Sequence, residues 1–366
     1  MRWLIVLAAA PLLWAAEPRI VGEGPLAGSS LAVMVPGGSL AHTAQMWVAT
    51  GDNRSQVEGT LKKLDNALKE AGTSIKEAVK LNFVMTDDSV GKWVQEVLKT
   101  RYRKHKPAIS LVTGRLASGG AVVAIDAVAV TKGTKPRNPR VAVLPAGRRV
   151  YISGQSDTGT IAQATRGTLD KLKAALTHMG LDLSHVVQVK SFLDPISSTA
   201  DVRQQIDEYF GPNPPPQVFV EWTSKDRIEI EMIAADPSKP AGEPIEYLTP
   251  PGEKSSPVYS KVARISSPAT IYVSSLYGKT DNNGPKEIND IFAKLKEAVV
   301  GFGGDLEHLA KATYYVSNDA VSRELNEIRP KYYDPKTPPA ASKAGVKAVG
   351  VAGKTVSLDM IGVPAR

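Results

Sequence analysis

Three tandem copies of one α+β unit, each running β-β-α-β-α-β-β, are the fold that the sequence predicts. The first observation is a repeat. Residues 168–193, TLDKLKAALTHMGLDLSHVVQVKSFL, recur as residues 60–85 and 291–316. Leu64, Leu172 and Leu295 coincide, as do Gly72, Gly180 and Gly303, and repetition at domain-sized spacing marks a tandem array. The second is the content of the repeat. Leucines at helical spacing are followed by a glycine stop and an apolar run short enough for a strand. The third is the alternation in RIEIEMIA, which puts Ile228, Ile230 and Met232 on one strand face and Arg227, Glu229 and Glu231 on the other.

The elements follow in order. Residues 1–16 combine a basic start, a short apolar core and small exit residues, which read as a secretory signal peptide. The apolar run is short of the ~20 residues of a membrane span, so no membrane contact is expected once it is removed; an uncleaved anchor helix is the alternative. Residues 17–30 are Gly/Ser-rich and read as a linker. Repeat 1 (31–130) starts with LAVMVPGG and a strand over 46–50. Val57, Leu61, Leu64, Leu68 and Ala71 form the stripe of its first helix. A strand over 78–85, a helix over 90–102 and strands over 108–112 and 121–130 complete it. Residues 131–140 form a basic linker.

Repeat 2 (141–236) carries VAVLPAG, an echo of VMVPGG, and a helix with Leu169, Leu172, Leu176 and Met179 on one face. Its second helix, 199–210, stops at Gly211-Pro212, and strands over 218–222 and 227–234 close it. A Pro/Gly-rich linker, 237–256, leads to repeat 3 (257–366). One sheet face of each unit can pack under its helices. The partly polar opposite face must meet another unit or line a cleft.

Composition narrows function mostly by exclusion. No cysteine occurs among the 366 residues, which removes disulfides, thiolate nucleophiles and cysteine zinc sites. Five histidines show no metal-ligand spacing, no phosphate loop occurs, and no cofactor is expected. The net charge of +8 permits acidic partners without naming one. The basic run 99–106, KTRYRKHK, could touch phosphate, but a solvated helix end is the favoured reading and no nucleic-acid partner is expected.

The blocks VYISGQSDTG, KLKAALTHMGLDLSHVVQVKSFL and IEIEMIAA resemble the RidA (YjgF) family of enamine/imine deaminases, and the resemblance extends over about residues 30–363. It implies a chorismate-mutase-like fold, with ligand sites in clefts between three subunits. A chain of three copies then reads as a single-chain pseudo-trimer, a monomer that closes in cis. The family's arginine in a Pro-Ala-Arg-Ser block clamps a substrate carboxylate, through a planar fork no neutral residue copies. Its three positions here hold Ile109, Gln217 and Ala341, with Lys343 as a displaced cation. By the same resemblance Tyr259 and Asn326 match ligand-contacting positions, and Gly154 keeps a glycine that reads Thr50 and Ser275 in the other copies. Asp126, Glu231 and Asp359 recur at one position of the last strand and are the candidate catalytic acids. Two functions follow. One is an exported, arginine-less protein binding small metabolites between repeats; the other is an active imine deaminase using a relocated cation.

Overall fold

The computed structural model describes residues 17–102, 106–135, 137–240 and 242–365. The expected signal peptide, and residues 103–105 of the basic run, lie outside the described residues. The chain opens with β1 (Arg19–Glu23), β2 (Ser30–Val35), β3 (Ser39–Thr43), α1 (Asn53–Glu70), β4 (Ala78–Met85), α2 (Gly91–Arg101), β5 (Ala108–Thr113) and β6 (Val123–Thr131). A second stretch holds β7 (Val141–Leu144), β8 (Arg148–Ser156), α3 (Ile161–His178), β9 (Val186–Leu193), α4 (Thr199–Phe210), β10 (Gln217–Glu221) and β11 (Ile228–Asp236). A third holds β12 (Ile245–Leu248), β13 (Val262–Ile265), β14 (Thr270–Val273), α5 (Gly284–Val300), β15 (Leu309–Val316), α6 (Asp319–Ile328), β16 (Ala340–Gly345) and β17 (Val356–Gly362).

Local chemistry sets the helix ends. Asp52 caps α1 by accepting from the Ser55 amide at 2.8 Å, and Thr160 and Gln163 form a reciprocal capping box on α3. Past the first helix of each stretch, Gly72, Gly180 and Gly303 adopt φ of +73°, +74° and +75°. A side chain there would be strained, which is why the three glycines of the repeat coincide.

Each stretch pairs its strands in the same way. β4 lies parallel to β5 and antiparallel to β6; β9 does the same with β10 and β11, and β15 with β16 and β17. Three helix-side cores follow, built on Leu61, Leu64 and Leu68, on Leu169, Leu172 and Leu176, and on Ile291, Phe292 and Leu295.

The short leading strands tie the stretches together. β2 pairs with β14, β7 with β3, and β13 with β8, so each stretch lends a strand to a neighbour. Two sheets result, ordered β16-β15-β17-β14-β2-β5-β4-β6-β3-β7 and β10-β9-β11-β8-β13-β12. The faces turned away from the helices meet one another. Val84, Phe192 and Tyr315, at equivalent positions of β4, β9 and β15, pack in one buried cluster.

Three expectations are corrected. The segment expected as a linker over 17–30 contains β1, whose residues pair with the open edge of β2. The Pro/Gly-rich segment 237–256 contains β12, held on β13 and anchored by the Tyr247 hydroxyl, which donates to the Leu309 carbonyl at 2.9 Å. The strand expected over 46–50 reduces to one bridge, Met46 to Ile125, because the chain turns there into the α1 cap.

Candidate functional site

The three recurrent acids do not face a cleft. They line a central cavity of about 60 Å³, enough for a few waters. Middle-strand lysines meet them from neighbouring stretches. Lys80 Nζ lies 2.7 Å from Asp359 Oδ1, and Lys311 Nζ lies 2.6 Å from Glu231 Oε2. Ser110 donates to Asp359 at 2.7 Å, and Ser342 donates to Glu231. Burial opposes ionisation of Asp359, but Lys80 and Lys190 prevail and hold its carboxyl below the usual range. Lys190 donates to the Tyr315 hydroxyl at 2.8 Å. Burial works against its charge, yet Tyr315, Glu231 and Asp359 together raise its pKa. Asp359 and Glu231 are therefore each paired with a lysine inside the protein.

Asp126 is the exception, since its carboxylate is bonded by the neutral Asn82 amide at 2.7 Å. Burial pushes its carboxyl up to about 6, against the pull of Asn82. A carboxyl whose folded pKa lies above its unfolded value of 3.8 holds its proton longer in the fold. Its stability penalty is absent below pH 4, grows as pH rises, and is complete above pH 6. At 1.4 kcal/mol per tenfold change in proton affinity the penalty is about 2–3 kcal/mol. Asp126→Asn is accordingly expected to be more stable than the wild type at pH 8 by about 1–3 kcal/mol, with the gain shrinking towards pH 4. Urea titrations at both pH values check this, and an equal difference at both would contradict it.

The stretches meet along three seams. Between the first and second, the Gln45 amide donates to the Gln217 carbonyl at 3.0 Å. Gln45, and not Thr50, therefore occupies the position matched by Gly154. Gln217 itself is buried, with Nε2 donating to Asp207 at 2.6 Å. Between the third and first, Ile109 and Leu111 amides bond the Ser274 and Ser275 hydroxyls. Loop residues cover that seam: Thr113 bonds Ala348, and the Tyr277 hydroxyl donates to the buried Val349. Ile109 is fully buried under the first stretch's helices.

The seam between the second and third stretches holds a half-open cleft of about 370 Å³, within the range of small-molecule sites. The Ala341 amide donates to Ser153 Oγ at 2.7 Å, and the Thr223 amide to the Gly345 carbonyl at 2.8 Å. Trp222, Lys225, Ser317, Asn318, Asp319 and Lys343 line the opening. Lys343 Nζ reaches Asn326 Oδ1 at 3.2 Å and the Ser322 carbonyl at 3.3 Å. Two residues singled out in the sequence, Asn326 and Lys343, are thus brought together. Tyr259 is not. It lies under the Lys261 ammonium, 5.2 Å from its ring centre, outside the residues lining this cleft.

Gly154 has a spatial reason. A Cβ there would come within 1.9 Å of a Glu229 carboxyl oxygen, so the glycine makes room for this acid. Glu229 was missed as a site residue, although it shares the polar face of β11 with Glu231. One of its oxygens is buried without a partner. Burial pushes its carboxyl up to about 7, against the pull of the Ser342 hydroxyl and with help from the Glu231 charge. Lys343 is half-buried, and burial together with the neighbouring Arg329 lowers its pKa, which Glu229 and Asp319 partly restore. The seam thus holds an ammonium whose pKa is lowered and a carboxyl that keeps its proton near neutrality.

Known proteins fit this arrangement one unit at a time. A RutC family protein of Pyrococcus abyssi is 28% identical over 124 residues, covering 31% of this chain and 98% of its own length. Protein DfrA of Myxococcus xanthus is 35% identical over 102 residues, covering 24% of this chain and 77% of its own. Among solved structures, a YjgF-family protein from Neisseria meningitidis matches 33% of this chain and 96% of its own, with 16% identity and a TM-score of 0.26. RidA from an Antarctic Psychrobacter matches 26% and 80%, with 20% identity and a TM-score of 0.24. The family model described as endoribonuclease L-PSP matches residues 31–131 and 132–236, more than half of the 366 residues. The chain belongs to the endoribonuclease L-PSP family, whose relatives carry the names RutC, YjgF and RidA.

Proposed function

We propose that this is an exported member of the family that binds a small carboxylate- or carbonyl-bearing metabolite between its second and third units. It does so without the family's clamping arginine. The observation that carries this reading is Lys343, a half-buried cation on an open cleft with Glu229 across the seam. The arginine positions offer no cation: Ile109 is core, Gln217 is tied to Asp207, and Ala341 is apolar. Mass spectrometry of small molecules released from the purified protein tests it. A metabolite is expected from the wild type and is expected to be lost from Lys343→Ala; a clean wild type that also fails to bind pyruvate counts against the reading.

Three RidA-like units closing on themselves as a pseudo-trimer form part of the same proposal. The exchange of leading strands supports it, because every unit then both gives and receives an edge. Closure in cis leaves no need for symmetric partners. Light scattering is expected to give a monomer, and its intact mass to lack the first ~16 residues; an obligate trimer, or a retained N-terminus after secretion, would contradict the respective part. A second reading, imine hydrolysis with Lys343 replacing the arginine, draws on Glu229, whose carboxyl at about 7 suits proton transfer.

A further inference from the structure

Lys80, Lys190 and Lys311 enter the central cavity, where Lys80 pairs with Asp359, Lys311 with Glu231, and Lys190 donates to the Tyr315 hydroxyl. Lys343 is placed differently. Among the described residues no carboxylate lies within ion-pair distance of it, and its partners are a carbonyl at 3.3 Å and an amide oxygen at 3.2 Å. That amide oxygen, Asn326 Oδ1, also accepts from Arg329 Nη2 at 3.0 Å. Two cations converge on one neutral acceptor.

Arg329 cannot move aside. It is 3% exposed, its guanidinium sits 4.8 Å over the Tyr314 ring, and it follows α6 directly in the chain. A guanidinium remains charged at any ordinary pH, so the fixed charge disfavours an ammonium beside it. A lysine desolvated or set beside another cation is the form in which an amine becomes a nucleophile near neutrality. The opposite side of Lys343 opens to the cleft, where Trp222 supplies an apolar wall and Ser317 and Asn318 supply hydrogen-bonding groups.

We propose that Lys343 captures small carbonyl compounds, 2-oxo acids or aldehydes, as a covalent imine. The inference rests on the reading of this cleft as a metabolite site. The step balances without a cofactor or redox partner. The neutral amine adds to the carbonyl carbon to form a C–N bond, and its first proton passes, directly or through solvent, to the carbonyl oxygen to give a carbinolamine. Loss of that oxygen as water, with the second amine proton, leaves the C=N bond. Hydrolysis reverses the sequence and releases the carbonyl compound. Because the cleft opens to solvent, both proton uptake and water release have a path.

The test is borohydride trapping with pyruvate in one arm and acetaldehyde in the other, on the full mature chain, followed by peptide mapping. The reduced adduct is expected on Lys343 at ten times or more its occupancy on any surface lysine. It is expected to vanish in Lys343→Ala and in Lys343→Arg, which retains the charge and serves if the alanine variant melts early. Lys347→Ala, at an exposed neighbouring lysine, is expected to trap as the wild type does. Adduct with pyruvate alone identifies 2-oxo acids as the class, and adduct with acetaldehyde alone identifies aldehydes. Calorimetry with pyruvate separates the two layers. Binding without an adduct in either arm overturns covalent capture and leaves the metabolite site standing. No binding and no adduct overturn both, and labelling spread evenly over surface lysines overturns the assignment to Lys343.

Discussion

Asp359→Ala is expected to lower the stability of the chain by about 3–5 kcal/mol, the cost of leaving one member of a buried ion pair alone. The Lys80 side chain is 4% exposed, and without Asp359 its ammonium keeps only the Val273 carbonyl at 2.5 Å. Ser110 loses its acceptor as well. The pair joins residues 80 and 359, so the penalty falls on the contact between units rather than inside one. Replacing both partners, Lys80→Met with Asp359→Leu, is expected to recover most of the loss, since two apolar groups leave no stranded charge. A loss below about 1 kcal/mol for the single variant, as for an exposed ion pair, would mean that water reaches the cavity freely. Guanidinium titration with the double-mutant cycle decides between the two.

Much of this frame is legible in the sequence because its causes are local. A leucine stripe, a glycine that must take positive φ and a short apolar run are read along the chain, and they place α1, α3 and α5 where the structure has them. The pairing of leading strands with neighbouring units is not local, and nothing in RIVGE or IEYL separates a strand from linker until its partner edge is present. The site divides in the same way. Asn326 and Lys343, each legible separately in the sequence, sit on neighbouring elements and meet at 3.2 Å. Asp126, Glu231 and Asp359 are legible as one repeated strand position, but the lysine partners of Glu231 and Asp359 lie 80 and 279 residues away in the chain. Glu229 and Glu231 share one strand face, and only the third dimension shows which carboxyl fills the space over Gly154. The glycine was the available signal: its missing Cβ marks where an acid must fit.

The wild-type chain is expected to hydrolyse 2-iminopropionate at or near the uncatalysed rate. Removing one partner of a buried, hydrogen-bonded charge pair costs about 2–5 kcal/mol, which is roughly 30- to 3,000-fold at 1.4 kcal/mol per decade. Under the proposed function, Ile109, Gln217 and Ala341 stand where that cation would be, and each carries that loss. Gln217→Arg is not expected to restore turnover, because Asp207 already binds the side chain there at 2.6 Å and would pair with the new guanidinium. Lys343 offers a point charge rather than a fork, so it can hold a carboxylate but not fix its orientation through two parallel bonds. Attack of its amine on the imine would release one ammonia per chain and leave the lysine as an imine, and further release waits on the slow hydrolysis that frees the amine again. A burst of at most one equivalent followed by a background rate is therefore the expected progress curve with ammonia as the readout. Sustained turnover that disappears in Lys343→Ala, with Glu229→Gln slowing it by about 100-fold or more as for a lost general acid, would establish the relocated cation as catalytic and the cleft as a working deaminase site.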